Sequence, residues 1–258
     1  MAVVSVQQVS KVYGHRFSLV NALNNISFDI EPWEFVGIMG PSGAGKTTLL
    51  NMIATIDRPT HGQVLIKDQV VSRMREAKLA NFRRQDLGFI FQDFNLLDSL
   101  TVRENMLLPL ALDKLSVPVI EKRLDKVSRV LGISSLLDRY PDEVSIGQRQ
   151  RVACGRAMIT NPTLLLADEP TGSLDSKSAT ELLQYLTVIN RQEKTTILLV
   201  THDAFTASYC RRILFIKDGQ LFSEIVRNGD RQQFFNQIID MQATIGGGGR
   251  FNAVTPNR

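Results

Sequence analysis

Cysteine is nearly absent from this chain. Only Cys154 and Cys210 occur, far apart and in no metal-ligand spacing, which excludes a disulfide framework and leaves two reduced, structural thiols as the expectation. Long apolar runs are also missing: nothing approaches the ~18 residues that span a bilayer, and the opening MAVVSVQQVSKVYG lacks the charged n-region and long h-region of a signal peptide. A cytosolic chain is therefore expected. No internal repeat and no sustained heptad pattern is present, so solenoids and coiled coils drop out. An excess of charge is lacking as well. A net +4 is small for 258 residues and gives no argument for nucleic acid, which is not expected as a partner. The densest basic run, SRMREAKLANFRRQ with Arg73, Arg75, Lys78, Arg83 and Arg84, reads as a solvated helix face, with an anionic membrane surface or a partner as the alternatives.

What is present is apolar content, at 43%, enough for a packed core. FVGIM (35–39), LLLA (164–167), ILLV (197–200) and ILFI (213–216) read as strands buried on both faces, hence a mainly parallel sheet. AVVSVQQV, NISFDI and GQVLIK instead alternate polar with apolar, which predicts a smaller antiparallel layer near the N-terminus. Asp218-Gly219, between ILFI and LFSEI, predicts a tight hairpin that finishes the main sheet antiparallel. Residues 95–160 carry helical spacing: Ile120, Leu124, Val127 and Leu131 share a face and Gly132 follows as a stop. The expectation is an α/β domain over 1–245 with a helical subdomain inserted at about 95–160. FFNQII makes one more helix, and GGGG at 246–249 opens a flexible tail over 246–258. At EPWE, Glu31 to Glu34, a turn with negative φ at Trp33 is expected.

GPSGAGKT, Gly40 to Thr47, fits the phosphate loop G-x-x-x-x-G-K-S/T, set between FVGIM and the helical TLLNMIA. Gly40, Ser42, Gly43, Ala44 and Gly45 form the loop whose backbone N–H groups turn toward phosphate oxygens, and the positive end of the next helix faces the same anion. Lys46 reaches the β- and γ-phosphates, Thr47 ligates Mg²⁺, and Thr48 makes a further phosphate contact. LLLADEP brings Asp168 and Glu169 to the C-terminal end of a strand, where open α/β sheets bind ligands. Asp168 suits Mg²⁺ and Glu169 suits a general base. Gln92 after GFIF and His202 after TILLV stand where γ-phosphate sensors belong.

GPSGAGKT, FQDFNLL, VSIGQRQR, LLLADEP, SLDSKSA and VTHD occur in the order and approximate spacing of an ABC transporter ATPase, which the chain resembles over about residues 2–225. The resemblance implies a P-loop NTPase core that binds ATP and Mg²⁺, and a homodimer holding two ATP molecules head to tail. It implies that Tyr13 stacks on adenine and that Gln92 binds Mg²⁺ and couples. Ser145, Gly147 and Gln148 would form the signature that faces the opposite ATP. Asp175 would lie in the cross-dimer loop, and His202 would be the γ-phosphate switch. Ile146 replaces the first signature glycine; Ser145 is expected to cap the helix and leave Ile146 in its first turn, where isoleucine is allowed. LGFIFQDFNLLDSLTVRENMLLPL, VTHDAFTASYCRRILFIKDGQ and DRQQFFNQI look most like the ATPase subunit of Bce-type peptide-antibiotic transporters. That narrower likeness implies a permease of the MacB/FtsX-like class, a sensor histidine kinase reached through it, and a place on the cytoplasmic face of the membrane. It also puts the permease-docking groove at Phe91, Phe94, Leu96 and Leu97. The rival readings are an ATPase for macrolide export or lipoprotein release, and a soluble ABC regulatory protein.

Overall fold

The computed structural model describes residues 1–14 and 18–246; past Gly246, the tail expected over 246–258 lies outside the described residues. Two sheets form. The smaller is antiparallel, in the order β2-β1-β4-β5, from β1 (Val4–Tyr13), β2 (Val20–Ile30), β4 (His61–Ile66) and β5 (Gln69–Val70). The larger runs β10-β9-β3-β8-β7-β6, from β3 (Phe35–Met39), β6 (Leu87–Ile90), β7 (Leu164–Asp168), β8 (Thr196–Val200), β9 (Arg212–Lys217) and β10 (Gln220–Val226). All of its neighbours are parallel except β9 and β10. Those two close through Asp218 (φ 50°) and Gly219 (φ 73°), the paired positive φ of a type I′ turn.

The pleat of the large sheet divides the core in two, because successive side chains point to opposite faces. Leu165, Ala167, Ile197, Leu199, Ile213 and Phe215 face one cluster; Leu164, Leu166, Leu198, Val200, Leu214 and Ile216 face the other. The second cluster is closed by the small sheet and by α1 (Lys46–Ile53) and α2 (Glu76–Asp86). The first is closed by α3 (Val102–Leu107), α4 (Val117–Val130) and α5 (Ile146–Met158), which lie between β6 and β7 in the chain, and by α6 (Ser176–Gln192) and α8 (Arg231–Ile245). The short α7 (Ala204–Ala207) follows β8. Helix α4 presents Leu124 to the core and ends in a Schellman motif. Gly132 takes φ 63°, its N–H bonds Arg129 O at 3.1 Å, and Ile133 N–H bonds Ser128 O at 2.9 Å.

The turn at EPWE differs from the expectation. Trp33 has φ 66°, not a negative value. Pro32 presets the first central position, and the second then takes the positive φ of a type II turn, closed by Glu34 N–H to Glu31 O at 3.2 Å. Distant contacts hold the strained residue: Trp33 N–H bonds Thr196 Oγ1 at 3.0 Å, Asn190 Nδ2 bonds Trp33 O at 2.9 Å, and Lys194 sits 4.8 Å above the indole. Two of the five members of the basic run are spent on structure: Arg83 pairs with Glu76 and Arg84 with Asp113.

Cys154 and Cys210 are both buried, and burial pushes both thiols up, that of Cys154 to about 12. Helix α8 is part of the core, since Phe234, Ile238 and Ile245 are buried in the first cluster. Phe234→Ala is therefore expected to lower unfolding stability by about 3–5 kcal/mol, read as a fall in the urea midpoint at unchanged slope.

Candidate functional site

The C-terminal ends of β3, β8 and β7 converge on one edge of the large sheet. At the first, Gly45 caps α1 with φ 100°, and a Cβ there would lie 2.5 Å from Ala22 O, so only glycine lets the loop turn this closely under the small sheet. Ser42 is exposed and Ala44 buried; Ala44 O accepts from Gly219 N–H at 3.1 Å, so the β9–β10 hairpin turn braces the phosphate loop. Lys46 Nζ bonds Gly40 O at 2.8 Å and Pro41 O at 2.9 Å, which holds its ammonium over the loop. Burial pushes this lysine down, against the opposing pull of Glu169 and Asp168.

Asp168 ends β7. Burial, with the neighbouring Glu169 charge, pushes its carboxyl up, and Lys46 works against them. Its Oδ1 is buried with no hydrogen-bond partner, an expensive condition that a cation relieves. Such an oxygen, together with the hydroxyl of the exposed Thr47 in the first turn of α1, is a donor set of the hard-oxygen kind that suits Mg²⁺. Glu169 stands in the left-handed region at φ 45°. Its Oε1 lies 2.8 Å from His202 Nδ1 and its Oε2 accepts from Thr201 Oγ1 at 3.1 Å. Two backbone bonds fix this geometry beyond the strand ends, Glu169 N–H to Val200 O at 2.9 Å and Thr201 N–H to Ile38 O at 3.1 Å. His202 is further tied to the C-terminal helix, because Gln242 Nε2 bonds His202 O at 2.9 Å.

Other predicted residues gather around this edge in two groups. Tyr13, 40% exposed at the end of β1, bonds Asp57 Oδ2 at 2.8 Å through its hydroxyl, and Lys11 sits 4.8 Å over its ring. Burial and Asp57 push this phenol up, while a hydroxyl contact from Thr48 acts in the opposite sense. Ser145 caps α5, as expected from the sequence, and does so in a reciprocal box, Gln148 N–H to Ser145 Oγ at 3.3 Å and Ser145 N–H to Gln148 Oε1 at 2.8 Å. Ile146 then occupies the first turn, 54% exposed. A Cβ on Gly147 would meet Ser178 Oγ at 2.6 Å, so the start of α5 abuts the start of α6. There Asp175 accepts from the N–H groups of Lys177 and Ser178, both at 3.0 Å, and from Ser178 Oγ at 2.7 Å. Ser178 and these amides hold its carboxyl below the usual range. Among the described residues, no hydrogen bond joins 145–148 to the phosphate loop of the same chain.

Gln92 is exposed just past β6, beside Gly172, where an added Cβ would lie 3.4 Å from Gln92 Nε2. The segment after it is held by residues that the sequence reading missed. Gln150 of α5, fully buried, bonds Pro170 O at 2.8 Å and Phe91 O at 3.3 Å. Arg156 bonds Phe94 O at 2.7 Å and also Asn95 O. Asn105 of α3, fully buried, receives Leu97 N–H at 2.8 Å and donates to Leu97 O, Leu100 O and Thr101 O at 2.9–3.0 Å. Leu97 remains 49% exposed, whereas Leu96 packs on the core. Asn105→Ala strands these backbone groups and is expected to destabilise the fold by about 1–3 kcal/mol in urea denaturation, with faster hydrogen exchange at Leu97 N–H.

A family profile described as ABC transporter matches residues 23–172. The chain is 52% identical over 244 residues to the ABC transporter ATP-binding protein YxdL of Bacillus subtilis, covering 95% of each. To the bacitracin export ATP-binding protein BceA of Halalkalibacterium halodurans it is 45% identical over 248 residues, 96% of this chain and 98% of that one. The solved dimer of the ATP-binding cassette MJ0796, in a post-hydrolysis state bound to ADP and Pi, matches with a TM-score of 0.79 and 37% identity over 88% of this chain and 99% of the other. MJ0796 comes from Methanocaldococcus jannaschii.

Proposed function

Because the chain belongs to the ABC transporter family, as an ATPase that binds ATP with Mg²⁺, we propose that it drives a membrane permease conferring resistance to cell-wall-targeting antimicrobial peptides. The observation that carries this reading is the near full-length identity to a bacitracin export ATP-binding protein. In it, residues 1–245 are a nucleotide-binding domain on the cytoplasmic face of the membrane, with the helical subdomain at 95–160. No helix among the described residues is long and apolar enough to cross a membrane, and a permease of the MacB/FtsX-like class supplies the spanning segments. A sensor histidine kinase is reached through that permease. The docking groove is assigned to the Phe91–Leu97 segment, next to a cavity of about 480 Å³ lined by Phe89, Phe91 and Asn95.

Within the site, Gly40 to Gly45 and Thr48 cradle the phosphates, Lys46 balances β- and γ-phosphate charge, and Tyr13 stacks on adenine. Thr47, Gln92 and Asp168 would hold Mg²⁺, which would supply charge neutralisation at the phosphate oxygens. Glu169 accepts a proton from the attacking water, its carboxylate oriented by Thr201 and His202. His202 then responds to the γ-phosphate, and Gln92 passes that state to the segment facing the permease. A second copy completes each site through Ser145, Gly147 and Gln148, with Asp175 at the crossing.

Glu169→Gln is expected to retain ATP binding while turnover falls by about 10²–10⁴ in a steady-state phosphate-release assay. Ile146→Gly is expected to change turnover less than about tenfold, since the first-turn isoleucine removes no N–H donor from the helix start. A hundredfold rise there would mean that the isoleucine cripples the site. The transport reading is tested in a strain lacking the chain: complementation with the wild type should restore bacitracin tolerance and Glu169→Gln should not. Equal tolerance with and without the chain refutes a role in peptide resistance.

A further inference from the structure

Away from the nucleotide edge, four arginines from four separate segments line one cavity of about 610 Å³ together with Tyr209 and Asp230. Arg191 is in the last turn of α6, Arg211 precedes β9, Arg227 follows β10, and Arg231 opens α8. The cavity belongs to the other end of the sheet. Arg212, the next residue after Arg211, pairs in parallel register with Val36 at the entry of β3, whereas Gly40, Glu169 and His202 lie past strand exits. Helix α6 starts at the nucleotide edge, and at ~1.5 Å rise per residue it carries Arg191 some ~20 Å away.

Nothing among the described residues neutralises this cluster. Ion pairs among the described residues engage Arg212, the neighbour of Arg211, but none engages these four. Asp230 is the one carboxylate in the lining, and its Oδ1 already accepts from Gln233 N–H at 2.8 Å as the cap of α8. Four guanidinium groups and that carboxylate leave a net charge of +3. Three of the four are also held in place. Arg211 donates to Arg227 O; Arg227 Nη1 donates to Ser208 O at 3.3 Å; Arg231 donates to Ser208 Oγ at 3.3 Å and stacks on Tyr209 and Phe205, 4.6 and 5.2 Å from their ring centroids. Each guanidinium has five donors, so these contacts leave most of them free to point into the cavity. Burial, followed by the charges of Arg191 and Arg211, pushes Arg227 down, as like charges crowded without a counterion require.

We propose that this arginine cavity is a second anion site, distinct from the ATP site, that binds a phosphate-bearing ligand. A single carboxylate offers one charge and two oxygens, too little for the cluster; a phosphate or short oligophosphate supplies two or more charges and the oxygens that planar guanidinium forks grip in pairs. A soluble oligophosphate and a lipid headgroup share this chemistry.

The test uses the full chain carrying Lys46→Ala, in Mg²⁺-free buffer, to suppress binding at the phosphate loop. Pyrophosphate is titrated calorimetrically, and sedimentation measures binding to phosphatidylcholine vesicles with and without phosphatidylglycerol. Saturable pyrophosphate binding of one per chain is expected, weakened at least tenfold by Arg191→Glu and by Arg227→Gln. Arg191 makes no hydrogen bond or ion pair among the described residues, so its replacement leaves the fold intact, which circular dichroism checks. Vesicle binding that needs phosphatidylglycerol and is lost in the same variants supports the site and identifies the headgroup as its source. The proposal is overturned if neither probe binds or if both variants bind as the parent does.

Discussion

The sheet edge that carries the phosphate loop, Asp168, Glu169 and His202 depends on two backbone hydrogen bonds that carry the parallel sheet one residue past its regular strands: Glu169 N–H to Val200 O, and Thr201 N–H to Ile38 O. They tie β7 to β8 and β8 to β3 at the place where each strand gives way to a loop. Because those strands are parallel, their loops leave on the same side, which brings the phosphate loop, the acid pair and His202 together. The left-handed backbone at Glu169 is the cost of this arrangement, roughly 1–3 kcal/mol of local strain, and it persists because the sheet on both sides fixes it. The two-sided core makes that possible: each strand is packed from above by one cluster and from below by the other.

Around this edge the secondary contacts all point inward. The β9–β10 turn supports the phosphate loop through Gly219, and Thr201 orients Glu169. Gln242 reaches back from the C-terminal helix to the His202 carbonyl. Gln150 joins the helix that begins at Ser145 to the backbone on both sides of the site, at Phe91 and Pro170. A movement of that helix therefore cannot leave the Gln92 segment where it was.

Much of this was legible in the sequence because local chemistry and global fold agree. Unbroken apolar runs gave buried parallel strands, Asp218-Gly219 gave the hairpin, Gly132 gave a helix end, and Ser145 gave a helix cap. The sign of φ at Trp33 was not legible, because Thr196 and Asn190, far along the chain, decide it. Gln150 and Asn105 escaped notice for a related reason. A polar residue in a helical pattern reads as surface until the loop whose backbone it satisfies is seen folded over it. The arginine cavity has no sequence signal at all, since its members come from four segments that only the tertiary fold assembles.

The two cysteines have a practical consequence. With both sulfurs sealed in the core and their thiols held far from ionisation at neutral pH, the native protein is silent toward maleimides and other thiolate-seeking reagents. The wild-type chain is thus a ready background for site-directed labelling. One cysteine introduced on the exposed surface becomes the sole reactive handle, so a spin label or fluorophore can report on a chosen position with no prior removal of native thiols.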